Sequence, residues 1–158
     1  MRYSPSLVLV TLIVTLSASA AALADGAADQ VAARSFAAVN AVRARHGLPA
    51  LQPLPALAKL ALEHSRRMAQ SNILSHTEPG GRTFVERMQA ANLDFREVAE
   101  NIAMNSGTAD PAATAVAGWL QSEGHRMNIL TPGFTHAGMG VWVIDDRYYF
   151  TQIFLAPR

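Results

Sequence analysis

The sequence predicts an α+β fold in which helices cover an antiparallel sheet. Apolar residues recur at helical spacing from Asp29 to His46 and again after Pro55. Near the end of the chain the pattern changes to strict alternation on both sides of Asp145-Asp146, which predicts a β-hairpin. The chain has 158 residues and half of them are hydrophobic, so it can bury one core and is expected to form one domain.

Local signals predict where the helices begin and end. Gly47 follows the first helix at the position of a C-terminal glycine, and Pro55 opens a second helix that we expect to end near Ser71. The turn Pro79-Gly80-Gly81 precedes a short amphipathic helix from Phe84 to Ala91.

The middle of the chain carries a further helix and the connections around it. The helix begins at Asp110-Pro111, with Asp as N-cap and proline at the first helical position, and Gly124 is expected to end it. Glu97 to Met104 is expected to be a short strand. Leu48 to Leu54 contains two prolines and is predicted to be an extended connector.

The N-terminal segment, residues 1–24, has the pattern of a secretory signal peptide. Arg2 supplies a positive charge, Leu7 to Leu16 is apolar, and Ala22-Leu23-Ala24 is a small-residue cleavage site. The alternative is an uncleaved membrane anchor, but the apolar run is shorter than the ~20 residues that a spanning helix needs. We therefore expect one domain at residues 25–158 that is secreted or periplasmic and has no stable membrane anchor after cleavage.

Composition restricts the classes of partner. Cysteine is absent, so an exported domain has no disulfide and its stability must come from packing. Without Arg2 the chain has equal numbers of basic and acidic residues. Proteins bind nucleic acids and anionic membranes through a basic surface. A chain with balanced charges is therefore not expected to bind either. A small or neutral ligand fits better, and the oligomeric state is left open.

Five histidines are the first candidates for chemistry, because imidazole titrates near neutral pH and is the commonest metal ligand. His46 lies beside the glycine that ends the first helix, and a capping role accounts for it. His64 shares a helix face with apolar residues and is expected to be a core or boundary residue. His76 differs because it lies in a polar loop, where functional groups concentrate.

Two further positions allow two interpretations each. Glu100 lies in an apolar strand-like segment, so it is either paired in the interior or exposed at the edge of the sheet. The segment from Trp119 to Leu130 holds a dense polar cluster between apolar ends. Within it His125 follows Gly124, where it either caps the helix or faces a neighbouring cleft.

Five segments follow one another along the chain: Asn40 to Leu48, Leu74 to Thr77, Ala99 to Ala103, Trp119 to Leu130 and Phe134 to Val141. Together they resemble the CAP superfamily of cysteine-rich secretory proteins, antigen 5 and pathogenesis-related 1 proteins, specifically its cysteine-free bacterial branch. The resemblance covers essentially the whole mature chain. It implies a three-layer α-β-α sandwich with a central antiparallel sheet, and an open cleft lined by two histidines and two acidic residues.

The resemblance also implies roles for individual residues. His76 and His125 match the two cleft histidines, and Glu100 matches the first acidic residue. Ser122 stands where eukaryotic members carry the second acid, and Glu123 offers a carboxylate one residue further on, where bacterial relatives have proline. Ala99 replaces a family glycine, which suggests a slightly altered approach to Glu100.

Other polar residues near the second histidine are expected to support it. Arg126 and Asn128 can satisfy carboxylates or loop carbonyls and so hold the histidine in place. His136 is expected to be a strand residue without a role in the site. The predicted ligand-binding set is His76, Glu100, Ser122, Glu123, His125 and Arg126.

The family resemblance leaves several functions open. It implies a secreted binding module for a small lipid or for another envelope or host ligand. The alternative is a metal-dependent hydrolase, a protease or esterase, in which His76, His125 and Glu100 hold Zn or another divalent metal weakly and leave a coordination position open. A triad with Ser75 or Ser122 as nucleophile has less support, since neither lies on a recognisable nucleophile turn. A structural envelope protein with a vestigial cleft is the third hypothesis.

Overall fold

One four-stranded sheet lies between two layers of helices in a computed structural model that describes residues 26–158. The predicted signal peptide and its cleavage site lie outside the described residues. The elements are α1 (26–45), β1 (Gln52–Pro53), α2 (Pro55–Ser71), α3 (Phe84–Ala90), β2 (Glu97–Ser106), α4 (Pro111–Gln121), α5 (Glu123–Leu130), β3 (His136–Ile144) and β4 (Arg147–Ala156). Within this range no helix combines the length and apolar character that crossing a membrane requires.

The sheet has the strand order β1-β3-β4-β2. Strands β3 and β4 form the predicted hairpin, and β2 pairs antiparallel with the other side of β4. Asp145 and Asp146 join the hairpin with φ angles of 48° and 62°, and a type I′ turn requires positive φ at both positions. The two residues of β1 pair parallel with β3, so the predicted antiparallel sheet has one short parallel edge.

Strand β4 separates the core into two layers because its side chains alternate between the faces of the sheet. Phe150 and Phe154 pack in one apolar cluster with residues of α1, α4 and α5. Ile153 packs in a second cluster with Leu57 of α2 and Met88 of α3. The predicted α-β-α sandwich is therefore confirmed, with α1, α4 and α5 on one face and α2 and α3 on the other.

Two polar side chains of α1 fix the connector that follows it. The Asn40 side chain pairs with both backbone groups of Leu51, at 3.1 and 2.8 Å. Arg43 is almost fully buried, and burial lowers the pKa of its guanidinium. It donates to the carbonyls of Pro49, Ile129, Thr131 and Phe134. The end of α1 is thereby joined to the segment between α5 and β3.

The helix boundaries follow the sequence signals with one exception. Asp110 caps α4 by accepting a hydrogen bond from the Ala113 amide at 3.1 Å, as predicted. The prediction that this helix continues to Gly124 is wrong, because Ser122 has extended backbone angles of −89° and 123° that interrupt the helical hydrogen bonds. Helix α4 ends at Gln121, and Gly124 lies in the first turn of α5.

Helix α2 approaches strand β3 so closely that two positions of the strand leave no room for a side chain. A Cβ atom on Gly138 would lie 2.2 Å from the Ala58 nitrogen, and one on Gly140 would lie 2.1 Å from the Leu62 nitrogen. Both contacts are with helix backbone, which cannot move aside as a flexible side chain can. The sheet and the helix that carries His64 are therefore packed backbone to backbone.

We expect Gly140→Ala to lower the free energy of unfolding by about 1–3 kcal/mol, because the added methyl group must displace α2. Gly118→Ala is the matched control: Gly118 lies on the exposed face of α4 with open space around its Cβ position. There alanine should raise the stability by about 0.5–1 kcal/mol. Urea denaturation analysed at equal slope measures both changes. Equal effects of the two substitutions would contradict the close approach.

Candidate functional site

A buried carboxylate holds the ring of His76. His76 Nδ1 lies 2.9 Å from Glu100 Oε1, and the exposed fractions of the two side chains are 51% and 1%. Arg87 Nη2 donates to both oxygens of Glu100, at 3.0 and 2.8 Å, and to the backbone carbonyl of His76 at 3.1 Å. One guanidinium therefore fixes both the loop that carries His76 and the carboxylate that orients its ring.

The local sequence places these three groups together. Glu100 lies on β2 opposite Ile153, whose side chain faces the α2 and α3 layer. Thr83 begins α3 with a capping box, in which the Thr83 amide donates to Glu86 Oε2 at 2.7 Å and the Glu86 amide donates to Thr83 Oγ1 at 3.3 Å. Arg87 is the next residue of this short helix and reaches the strand. Of the two interpretations of Glu100, pairing in the interior is therefore the one observed.

Glu78 is a second buried carboxylate, and the sequence did not predict it as part of the site. Its Oε2 pairs with Arg67 and, at 2.8 Å, with Arg82, while Oε1 lies 3.6 Å from Arg87 Nε. Burial raises the pKa of Glu78, but the hydrogen bond from Arg82 and the charge of Arg67 outweigh it, so the pKa lies below its ordinary value. The i,i+4 spacing of Glu78 and Arg82 was the only signal in the sequence.

His64 is buried, as its helical position predicts, but its neighbours are charged. Nε2 lies 2.9 Å from the Ser75 carbonyl oxygen and 4.0 Å from Glu100 Oε1. Burial lowers the pKa of His64, and the nearby guanidinium of Arg87 lowers it further against the opposite effect of Glu100. The neutral ring links α2 to the loop that carries His76.

Asn101 attaches α5 to the opposite face of β2. The Asn101 side chain is fully buried, donates to the His125 carbonyl at 3.0 Å and accepts from Asn128 Nδ2 at 2.8 Å. Arg126 donates to the Leu120 carbonyl at 2.9 Å. Asn128 therefore supports His125 indirectly, through Asn101 and the His125 carbonyl. Arg126 instead joins α5 to the backbone of α4. The contact with Asn101 holds His125 through its backbone carbonyl.

The structure brings three of the six predicted site residues together. His76 contacts Glu100 directly, and the pKa of His125 is lowered by burial and further by the nearby charge of His76. Ser122 is instead the backbone junction between α4 and α5. Glu123 and Arg126 are exposed, and within residues 26–158 neither forms an ion pair. His136 lies in β3, as predicted, where its Nδ1 contacts the Thr135 hydroxyl.

The donor set limits how a metal could bind. In the part of the chain that the structure describes, no three His, Cys, Asp or Glu side chains are placed to hold a metal ion. Both oxygens of Glu100 accept from Arg87, whose fixed charge opposes a cation at that carboxylate. His76 and His125 remain as nitrogen donors. Glu100 fits the role of an outer group that orients a ligating histidine better than the role of a direct ligand.

Residues 36–154 match the cysteine-rich secretory protein family, CAP. The chain belongs to this family. Two Bacillus subtilis proteins are similar to it over 116 residues: the uncharacterized membrane protein YlbC, at 40% identity, and the uncharacterized protein YkwD, at 34%. The match covers 73% of this chain but 32% of YlbC and 43% of YkwD, so this CAP chain spans less than half the length of either relative.

Solved structures agree with the CAP assignment. An extracellular protein containing an SCP domain from Bacillus anthracis is 37% identical, with a TM-score of 0.68 over 80% of this chain and 40% of that one. An outer surface protein from Borrelia burgdorferi is 21% identical, with a TM-score of 0.69 over 78% of this chain and 90% of that one. At that identity the Borrelia protein shares the fold alone.

The effect of the His76 charge on the pKa of His125 gives a test of their proximity. His76→Ala should raise the pKa of His125, because the substitution removes a charge that lowers it while leaving the burial in place. His46→Ala, at the exposed end of α1, should leave it unchanged. NMR titration of the His125 ring measures the shift. An unchanged pKa in His76→Ala would show that the two imidazoles do not share a cleft.

Proposed function

We propose that this CAP chain is an exported binding domain whose ligand contacts the imidazoles of His76 and His125. The observation that carries the proposal is the anchoring of His76: Nδ1 is held by Glu100, which Arg87 fixes in turn, while half of the side chain stays exposed. A side chain that is already held in place binds a ligand without losing further conformational entropy of its own.

The contacts of the two candidate nucleophiles favour binding over serine hydrolysis. Ser75 Oγ accepts a hydrogen bond from the Thr77 amide at 3.0 Å, and the Ser75 carbonyl contacts His64. Ser122 lies at the junction of two helices, and its hydroxyl makes no capping hydrogen bond to α5. A serine nucleophile needs a base within hydrogen-bond reach, and neither hydroxyl is paired with His76 or His125 among the described contacts.

A small lipid, or another envelope or host ligand with an apolar part, is the ligand class that we propose. A cavity of about 480 Å³ at the β1 edge of the sheet, opposite the β2 edge that carries Glu100, is a candidate site for such a lipid that is separate from the two imidazoles. Its walls are apolar and belong to α1, the start of α2 and β3: Ala32, Ala33, Phe36, Pro53, Leu54, Pro55, Ala58, Ala137, Gly138 and Met139. This volume lies within the usual range for small-molecule sites.

Export to the periplasm or the medium is part of the same proposal. It is supported by the signal-peptide pattern of residues 1–24 and by the similarity to an SCP-domain protein of Bacillus anthracis that is described as extracellular. YlbC is described as a membrane protein, but this chain covers only 32% of it. The parts of YlbC outside the match carry no information about this chain.

Native mass spectrometry of the protein purified from its own envelope tests export and lipid binding together. We expect a mature chain that begins near Asp25 and carries a lipid mass. Ala33→Leu, which narrows the apolar cavity, should reduce lipid occupancy, whereas Ala37→Leu, on the exposed side of α1, should not. An intact Met1 in the membrane fraction would contradict cleavage and export. Equal occupancy in the two variants would place the lipid elsewhere.

Weak, reversible binding of Zn²⁺ or another divalent metal to His76 and His125 remains a separate prediction. Imidazole must be neutral to ligate, so affinity should fall between about pH 7.5 and about pH 5.5, across the usual histidine pKa of ~6.5. Calorimetry should show weaker binding in His76→Ala and His125→Ala and no change in His46→Ala. Glu123→Ala tests whether that exposed carboxylate takes part. Unchanged binding in both site variants would end the paired-histidine hypothesis, and ester or peptide hydrolysis by the metal-loaded protein would favour an enzyme.

A further inference from the structure

A second cavity of about 230 Å³, partly open to solvent, lies between α2 and the loop that carries His76. Helix α2 and the loop form its walls, which consist of His64, Met68, Ser71, Ile73, Ser75, Thr77, Glu78 and Pro79. Several of these side chains are polar, and two of them are buried ionisable groups. The proposed ligand-binding function makes no use of this cavity.

The tautomer of His64 follows from its partner. The Ser75 carbonyl oxygen, 2.9 Å from Nε2, can only accept a hydrogen bond, so Nε2 carries the hydrogen. In the neutral ring Nδ1 is then an acceptor. The side chain is 1% exposed, and Nδ1 has no hydrogen-bond partner among the described protein atoms. A buried acceptor in this state calls for a donor.

Glu78 Oε1 is a second hydrogen-bond acceptor near His64 Nδ1. Its Oε2 is occupied by Arg67 and Arg82, whereas Oε1 lies 3.9 Å from His64 Nδ1, beyond direct hydrogen-bond distance. Two acceptors cannot bond to each other, so a molecule that joins them must donate two hydrogens. The guanidiniums of Arg67, Arg82 and Arg87 surround Glu78 and disfavour a cation such as an ammonium group. A neutral donor remains.

We propose that this cavity is a hydration site, in which an ordered water molecule donates one hydrogen to His64 Nδ1 and the other to Glu78 Oε1. Hydrogen bonds of about 2.8 Å to acceptors that are 3.9 Å apart meet at the water oxygen at about 90°, near the angle between its two hydrogens. The cavity has ample room for water and the polar partners that ordered water needs. The water ties the loop that carries His76 to α2, beside the direct contacts of His64 and Arg67.

A crystal structure of the mature wild-type chain at about 1.5 Å, from crystals grown with two unrelated precipitants, tests this proposal. We expect one solvent peak within hydrogen-bond reach of His64 Nδ1 and Glu78 Oε1 in both crystals, so that it is not an additive. In His64→Phe the peak should be lost, and in the matched surface variant His46→Phe it should remain. A dry cavity in the wild type, or a peak that appears with one precipitant only, overturns the proposal.

A solution measurement on the wild type covers the case in which His64→Phe fails to fold. A nuclear Overhauser effect between long-lived water and the His64 ring proton on Cε1 is expected, because that carbon is bonded to Nδ1, which accepts from the proposed water. Its absence would overturn the hydration site. Neither measurement involves a ligand at His76 and His125, so failure here and failure of the proposed function are distinguishable.

Discussion

The candidate site depends on the ion pair between Arg87 and Glu100. Both side chains are almost fully excluded from solvent, and the guanidinium donates to both carboxylate oxygens. Burying two charges is costly, and the two hydrogen bonds from Arg87 Nη2 to the carboxylate oxygens offset part of that cost. Removal of either partner leaves an uncompensated charge inside the protein, at a cost of about 3–5 kcal/mol. The orientation of His76 therefore rests on an interaction that the fold cannot easily lose.

Strand β2 lies at an edge of the sheet, and two of its consecutive residues contact the two helical layers. Glu100 faces α3 and the loop of His76, whereas Asn101 faces α5 and holds the backbone of His125. The alternation of side chains along one strand thus brings both histidines to one edge. Trp119 Nε1 donates to the Ile102 carbonyl at 2.9 Å, so α4 also covers part of this edge. A covered edge is less able to pair with a strand of another molecule.

The two edges of the sheet carry different kinds of side chain. The β1 edge borders an apolar cavity, and Pro53 within β1 has no backbone N–H to offer a ligand or another strand. The β2 edge carries imidazoles, carboxylates and guanidiniums. The two edges therefore offer two separate candidate sites, an apolar one beside β1 and a hydrogen-bonding one beside β2.

The sequence by itself determined the features that depend on short-range rules. The helix caps at Asp110 and Gly47, the hairpin turn at Asp145 and the order of the motifs that identify the family could all be predicted, because each requires only neighbouring residues. Its place in a polar loop selected His76, whereas the local pattern left Glu100 and His125 undecided, and the family resemblance assigned all three to one cleft.

The tertiary structure alone decided how these groups are held. Arg87 and Glu100 are 13 residues apart on different elements, so no local pattern shows that they pair. Ser122 and Glu123 occupy promising positions in the sequence, but the extended backbone at Ser122 turns the chain into a new helix and leaves Glu123 exposed. Burial of a charge is decided by which elements pack against it. That packing follows from the whole chain, whereas caps and turns follow from a few adjacent residues.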